Sequence, residues 1–214
     1  MKTKTLVTTS MLIAIGAILS LIPLIKLPFG GSITPASMMP IVLMAYLFGV
    51  RKGLLGAFVY SLVQLFLGMD TVSAFFLPGD AKMPVFTAIT VCLLDYIVAY
   101  TCLGLAGVFK REGKKDTLRL VGGVLLACIL RYLIHIISGA VFFGAWAEWF
   151  FADSTGLGSI EALRPFCTWV MTNFSGNGLS VFYSVVYNGA YMIPETAVTI
   201  ITTPLVYKII KNRV

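Results

Sequence analysis

Long apolar runs alternate with short polar segments along the chain of 214 residues. A helix that crosses a bilayer needs roughly 20 consecutive, mostly apolar residues. Six such spans are predicted, at about 6–27, 36–50, 53–69, 85–109, 120–145 and 180–208. The first follows Lys2 and Lys4 and is not followed by a small-residue cleavage site, so it reads as a helix and not as a signal peptide. The second is short for a bilayer. A turn-rich stretch at 29–35 precedes it, and Arg51-Lys52-Gly53 reads as a tight turn after it. Residues 70–84 and 146–179 are read as the outer loops, the second rich in aromatics. The pattern predicts an all-α membrane protein, a six-transmembrane-helix bundle forming one domain over 1–214, with both termini cytoplasmic.

Composition agrees with a surface that faces lipid. Hydrophobic residues make up 58% of the chain and charged residues 12%, against about 25% charged in soluble domains. That excludes a cytosolic enzyme, a secreted disulfide-framed domain and a disordered chain. The net charge of +7 suggests nucleic acid only until its placement is examined. Of the 16 Lys and Arg, 12 sit in four short polar segments: Lys2 and Lys4; Arg51 and Lys52; Lys110, Arg111, Lys114, Lys115 and Arg119; Lys208, Lys211 and Arg213. These alternate with segments poor in Lys and Arg, which is the positive-inside pattern. The cations mark a cytoplasmic face, with the lipid bilayer as partner and no nucleic acid. The four cysteines, at 92, 102, 128 and 167, form no C-x-x-C, so neither a disulfide framework nor a metal site is expected.

No internal repeat is visible, whereas transporters that rock on their own are usually built from two related halves. No P-loop signature is present either, so energy for moving a solute would have to come from elsewhere. Gly49, Gly53, Ala57 and Ser61 form a small-residue stripe at four-residue spacing, suited to close helix packing inside the bundle. A shorter small face on the first span, around Ser10, Ala14 and Ala17, suits either packing inside the bundle or docking to another membrane protein, and docking is the expectation. Pro194 interrupts the last span, where it frees the carbonyl of Ala190.

Ionisable side chains inside spans are costly and commonly functional. There are four here: Asp95, Arg131, His135 and Glu195. At about 1.5 Å per residue, Asp95 and His135 lie near 15 Å from the outer ends of their spans, and Asn188 near 12 Å. Three helices thus bring polar groups to one level. Arg131 and Glu195 come out deeper, placed to pair with each other. Arg131, His135, Gly139 and Phe143 share a face, as do Tyr183, Tyr187 and Tyr191. Taken singly, each of these residues is as readily structural as functional. Together, a carboxylate, an imidazole, an amide and several aromatics suit a flat heteroaromatic ligand, and a cationic one in particular.

These residues also carry a resemblance. LLDYIVAY at 93–100, RYLIHIISGAVFFG at 131–144 and YSVVYNGAYMIPE at 183–195 resemble the thiamine-specific substrate-binding (S) components of energy-coupling factor transporters. GGSITPASMMPI at 30–41 and VQLFLG around Gln64 add to the likeness. The resemblance implies a multi-pass protein of the bacterial cell membrane that captures thiamine from outside. It implies partners as well: a transmembrane coupling protein and two ATPase subunits, which alone would bind ATP, with no cofactor in this chain. The implied thiamine-binding residues are Asp95, Tyr96, His135, Phe143, Tyr183 and Asn188, with Trp146, Tyr187, Arg131 and Glu195 as secondary candidates. The sequence departs from the family where Phe143 stands for a frequent Trp, where 30–37 lacks an aromatic, and in the length of 70–84 and 146–179. A rival within the same class is an S component for a thiamine precursor, a derivative or another vitamin. An intramembrane enzyme using Asp95 and His135 has little support, because neither a G-x-S-x-G nor an H-E-x-x-H motif is present.

Overall fold

The computed structural model describes residues 3–27, 31–111, 116–152 and 154–211. Of the basic residues that mark the cytoplasmic face, Lys2, Lys114, Lys115 and Arg213 lie outside the described residues. Among the described residues there are nine longer helical elements, one small hairpin, and short 3-10 turns at Gly144–Trp146, Gly156–Ser159 and Glu161–Leu163. The helices and the hairpin run α1 (Thr3–Ser20), β1 (Ile25–Lys26), β2 (Ser32–Ile33), α2 (Met39–Phe48), α3 (Val50–Leu67), α4 (Met69–Ala74), α5 (Val85–Phe109), α6 (Asp116–Phe142), α7 (Ala147–Phe151), α8 (Arg164–Asn173) and α9 (Gly176–Ile210). Five of these, α1, α3, α5, α6 and α9, are long and apolar enough to cross a membrane.

Several boundaries differ from the sequence reading. The first helix stops at Ser20 and not near residue 27. The apolar residues beyond it enter an antiparallel pairing of Ile25 with Ile33 and Lys26 with Ser32. Helix α2 has 10 residues, about 15 Å of rise, which is half a bilayer. Every side chain from Ile41 to Tyr46 is 0–1% exposed, so α2 is a helix buried inside the bundle. The turn after it falls at Gly49, whose φ of 83° suits a residue without Cβ. Arg51 and Lys52 therefore lie in the first turn of α3 and not in the turn itself. The two loops contain helices: α4 within 70–84, and α7 and α8 within 146–179.

Small residues let the helices meet backbone to backbone. A Cβ on Gly53 would collide with Ala45 of α2 and the Gly104 carbonyl of α5, and Ala57 and Ser61 on the same stripe are buried. The stripe thus packs inside the bundle, α3 against α2 and α5. At the end carrying Arg51, Lys52 and Arg119, the hydroxyls of Tyr46 and Tyr207 both donate to Asp116, the former at 2.6 Å, tying α2, α9 and α6 together.

The apolar interior divides into two clusters. One is centred on α2 with Leu103, Leu120 and Val124. The other, toward α7 and α8, gathers Phe75, Phe143, Phe151, Tyr183, Tyr187 and Tyr191. Buried polar side chains, among them Thr34, Ser37, Arg131, His135, Asn188 and Glu195, accompany these clusters and line a cavity.

Candidate functional site

Helix α5 changes pitch where it meets the cavity. Residues Leu93–Val98 form a π-helical segment, a wider turn with i→i+5 bonding that is frequent at functional sites. This widening lets Asp95, Tyr96 and Tyr100 all line the cavity. Asp95 is engaged on both oxygens: Oδ1 lies 3.0 Å from His135 Nδ1, and Oδ2 accepts from the Ser138 hydroxyl at 2.9 Å. Arg131 Nε donates to His135 Nε2 at 3.3 Å, so the imidazole carries its proton on Nδ1 and donates it to Asp95. The Arg131 guanidinium also lies 4.0 Å from the centroid of the Tyr100 ring. The result is a fixed chain of contacts from the Arg131 guanidinium to the His135 imidazole, one turn apart on α6, and across to the Asp95 carboxylate of α5.

Helix α9 supplies the opposite wall. Asn188 Nδ2 donates to the His135 carbonyl at 3.2 Å and the Ser184 carbonyl at 2.9 Å, while its Oδ1 accepts from Tyr191 at 2.8 Å. A Cβ on Gly139 would press on Ser184 and Asn188, so glycine there lets α6 and α9 close around the site. Tyr183 and Tyr187 stand 5.7 Å apart at their ring centroids, and Phe75 meets Phe143 at 5.9 Å. These aromatic rings line the cavity together with the two carboxylates, the guanidinium and the imidazole.

Of the residues singled out from sequence, Asp95, Tyr96, His135, Phe143, Tyr183, Asn188, Tyr187, Arg131 and Glu195 all line this one cavity. Trp146 does not line it, and instead packs edge-on against Trp149 at 6.0 Å. The expected pairing of Arg131 with Glu195 is not made: Arg131 turns to His135 and Tyr100, and Glu195 Oε1 accepts from the backbone N–H and hydroxyl of Thr34. Buried Thr34 belongs to the loop after β2, where Ala36 is held at φ 68°, a left-handed conformation costly for a residue with a side chain. Sequence reasoning missed Tyr100, Thr34, Ser37 and Phe75 as cavity residues, and Ser138 as the second partner of Asp95. Only Ser138, three residues after His135 on its helix, carried a usable spacing signal. Among the described residues, no three His, Cys, Asp or Glu side chains gather to hold a metal.

On the first helix, Ser10 and Ala14 are exposed and Ala17 is half-buried. The buried side is formed by Thr9, Leu12 and Gly16. A second chamber adjoins the cavity, sharing Ser20, Gln64, Thr71 and Tyr96 with it and reaching Lys26 and Asp70. It lies at the ends of α1 and α3 that are remote from the basic turns.

Long apolar helices around a polar, aromatic-walled cavity define a multi-pass membrane protein built to hold a small solute. Residues 6–149 match the thiamine transporter protein family, and the chain belongs to that family. It is 29% identical to the thiamine transporter ThiT of Bacillus subtilis (strain 168) over 192 residues, 86% of this chain and 78% of that protein. A solved structure of ThiT from Listeria monocytogenes has the same fold, with a TM-score of 0.60 at 22% identity, covering 98% of this chain and 93% of that one. The family serves thiamine uptake and is one of transporters, not enzymes.

Proposed function

We propose that the chain is the substrate-binding component of an energy-coupling factor transporter in a bacterial cell membrane, capturing thiamine from outside in the cavity described above. The observation that carries this reading is the cavity's charge and lining. Asp95 and Glu195 contribute two formal negative charges and Arg131 one positive, leaving one negative charge in excess beside aromatic faces. A flat heteroaromatic monocation complements that arrangement, its charge favoured by carboxylate and ring faces together. Thiamine, a thiazolium joined to an aminopyrimidine, is such a molecule.

In this reading 1–214 is one domain, α2 and its preceding loop complete a sixth crossing, and both termini are cytoplasmic. The basic segments around Arg51 and Arg119 then face inward. The second chamber, at the opposite end, becomes the route from outside. A membrane coupling protein docks on the face of α1 that carries Ser10, Ala14 and Ala17, and two ATPase subunits supply the energy. Exposure of Ser10 and Ala14 supports that docking face.

The test is to purify the chain in detergent without added ligand, denature it, and identify the released small molecule by mass spectrometry. Thiamine is the expected result. A different vitamin, a precursor or a phosphorylated derivative would assign the cavity to that ligand instead.

A further inference from the structure

The basic-end floor of the cavity holds two charged side chains that do not satisfy each other. Arg131 lies one turn below His135 on α6, and Glu195 seven residues, about 10 Å of helix rise, below Asn188 on α9. Both line the cavity, at 6% and 3% exposure, without forming an ion pair with each other. Glu195 is fixed by Thr34, which donates its N–H and its hydroxyl to Oε1 while its own oxygen accepts from Ser37. With Oε1 held in this way, Oε2 is buried and no donor among the described residues reaches it. On Arg131, the described hydrogen bond uses Nε, whereas a guanidinium carries five N–H donors. A buried acceptor left without a donor is costly. The floor thus presents a lone acceptor beside spare donors.

We propose that Arg131 and Glu195 form a specificity site that reads the edge of an aminopyrimidine. Glu195 Oε2 accepts from the exocyclic amine, and the Arg131 guanidinium donates to the adjacent ring nitrogen. That edge offers a donor beside an acceptor, the complement of the carboxylate and guanidinium. This assignment rests on the thiamine reading above. It gives the pyrimidine end of the ligand to the floor and leaves the cationic ring to Asp95 and the aromatic wall.

The experiment titrates the full-length, detergent-purified chain and Glu195→Gln with thiamine, with its 4-oxo pyrimidine analogue, and with an analogue carrying hydrogen in place of the amine. Wild type should bind the hydrogen analogue more weakly than thiamine by about tenfold or more, the worth of one charge-assisted hydrogen bond. Glu195→Gln retains a carbonyl oxygen for Thr34 but turns the free acceptor into an amide donor. It should lose about tenfold or more for thiamine and hold or gain affinity for the 4-oxo analogue. An unchanged thiamine-to-oxo preference in the variant, whether through equal loss or no loss, overturns the proposal and leaves Glu195 as a loop anchor. Should the variant not fold, equal wild-type affinity for thiamine and the hydrogen analogue overturns it alone. Wild type that binds no thiamine overturns the ligand assignment and this proposal together.

Discussion

Both oxygens of Asp95 are engaged by protein donors, His135 on one and Ser138 on the other, and each oxygen still has a lone pair to offer a ligand. The carboxylate is therefore oriented before any ligand arrives, so little ordering cost remains at binding. Asp95→Asn removes the charge with little change of shape. It should weaken thiamine binding by about 1.5–3 kcal/mol, read by calorimetry on the folded variant. Unchanged affinity would remove Asp95 from the site. Asp95, His135 and Asn188 were legible in the sequence because intramembrane polar groups are rare and their estimated depths coincide. Ser138 was not, because a hydroxyl is an ordinary residue in a membrane helix and gains meaning only beside Asp95. Tyr100 was hidden for a different reason: it joins Asp95 through a π-helical turn, and regular helical spacing does not put residues five apart on one face.

At the scale of elements, the apolar runs placed the ends of α3, α5, α6 and α9 to within four residues and carried α1 seven residues too far. They failed where length and burial decide. Helix α2 reads as a short span, and only packing shows that it is enclosed on every side. The hairpin of Ile25–Lys26 with Ser32–Ile33 continues an apolar run, and hydropathy alone cannot distinguish it from more helix. Phe75 follows the six-residue α4, too short to leave a periodic signal. Helix α1 is informative in another way. Its buried line is Thr9, Leu12 and Gly16, while Ser10 and Ala14 face away from the bundle. Ala14→Trp should therefore leave thiamine binding by the isolated protein intact, because Ala14 is exposed and does not line the cavity. It should lower uptake in cells that contain the whole transporter, because a bulky ring prevents close helix approach. Loss of binding together with uptake would make Ala14 a packing residue and end the docking assignment.

For the whole molecule, orientation follows from charge. Arg51, Lys52, Lys110 and Arg119 gather at one end, together with the Tyr46–Asp116–Tyr207 tie, while α7, α8 and the second chamber lie at the other. A cysteine-free variant with a single cysteine at Lys52 or at Ser154 tests this. An impermeant thiol reagent applied to intact cells should label the Ser154→Cys protein and spare the Lys52→Cys protein. The reverse pattern, or labelling of both, would contradict the proposed topology.

Binding of thiamine in the cavity between α5, α6 and α9 is read most directly by a calorimetric titration of the ligand-depleted, detergent-purified chain. Saturable binding of one thiamine per chain, weakened by Asp95→Asn, is the expected result. The absence of saturable binding by protein that retains its helical circular dichroism would contradict the thiamine reading.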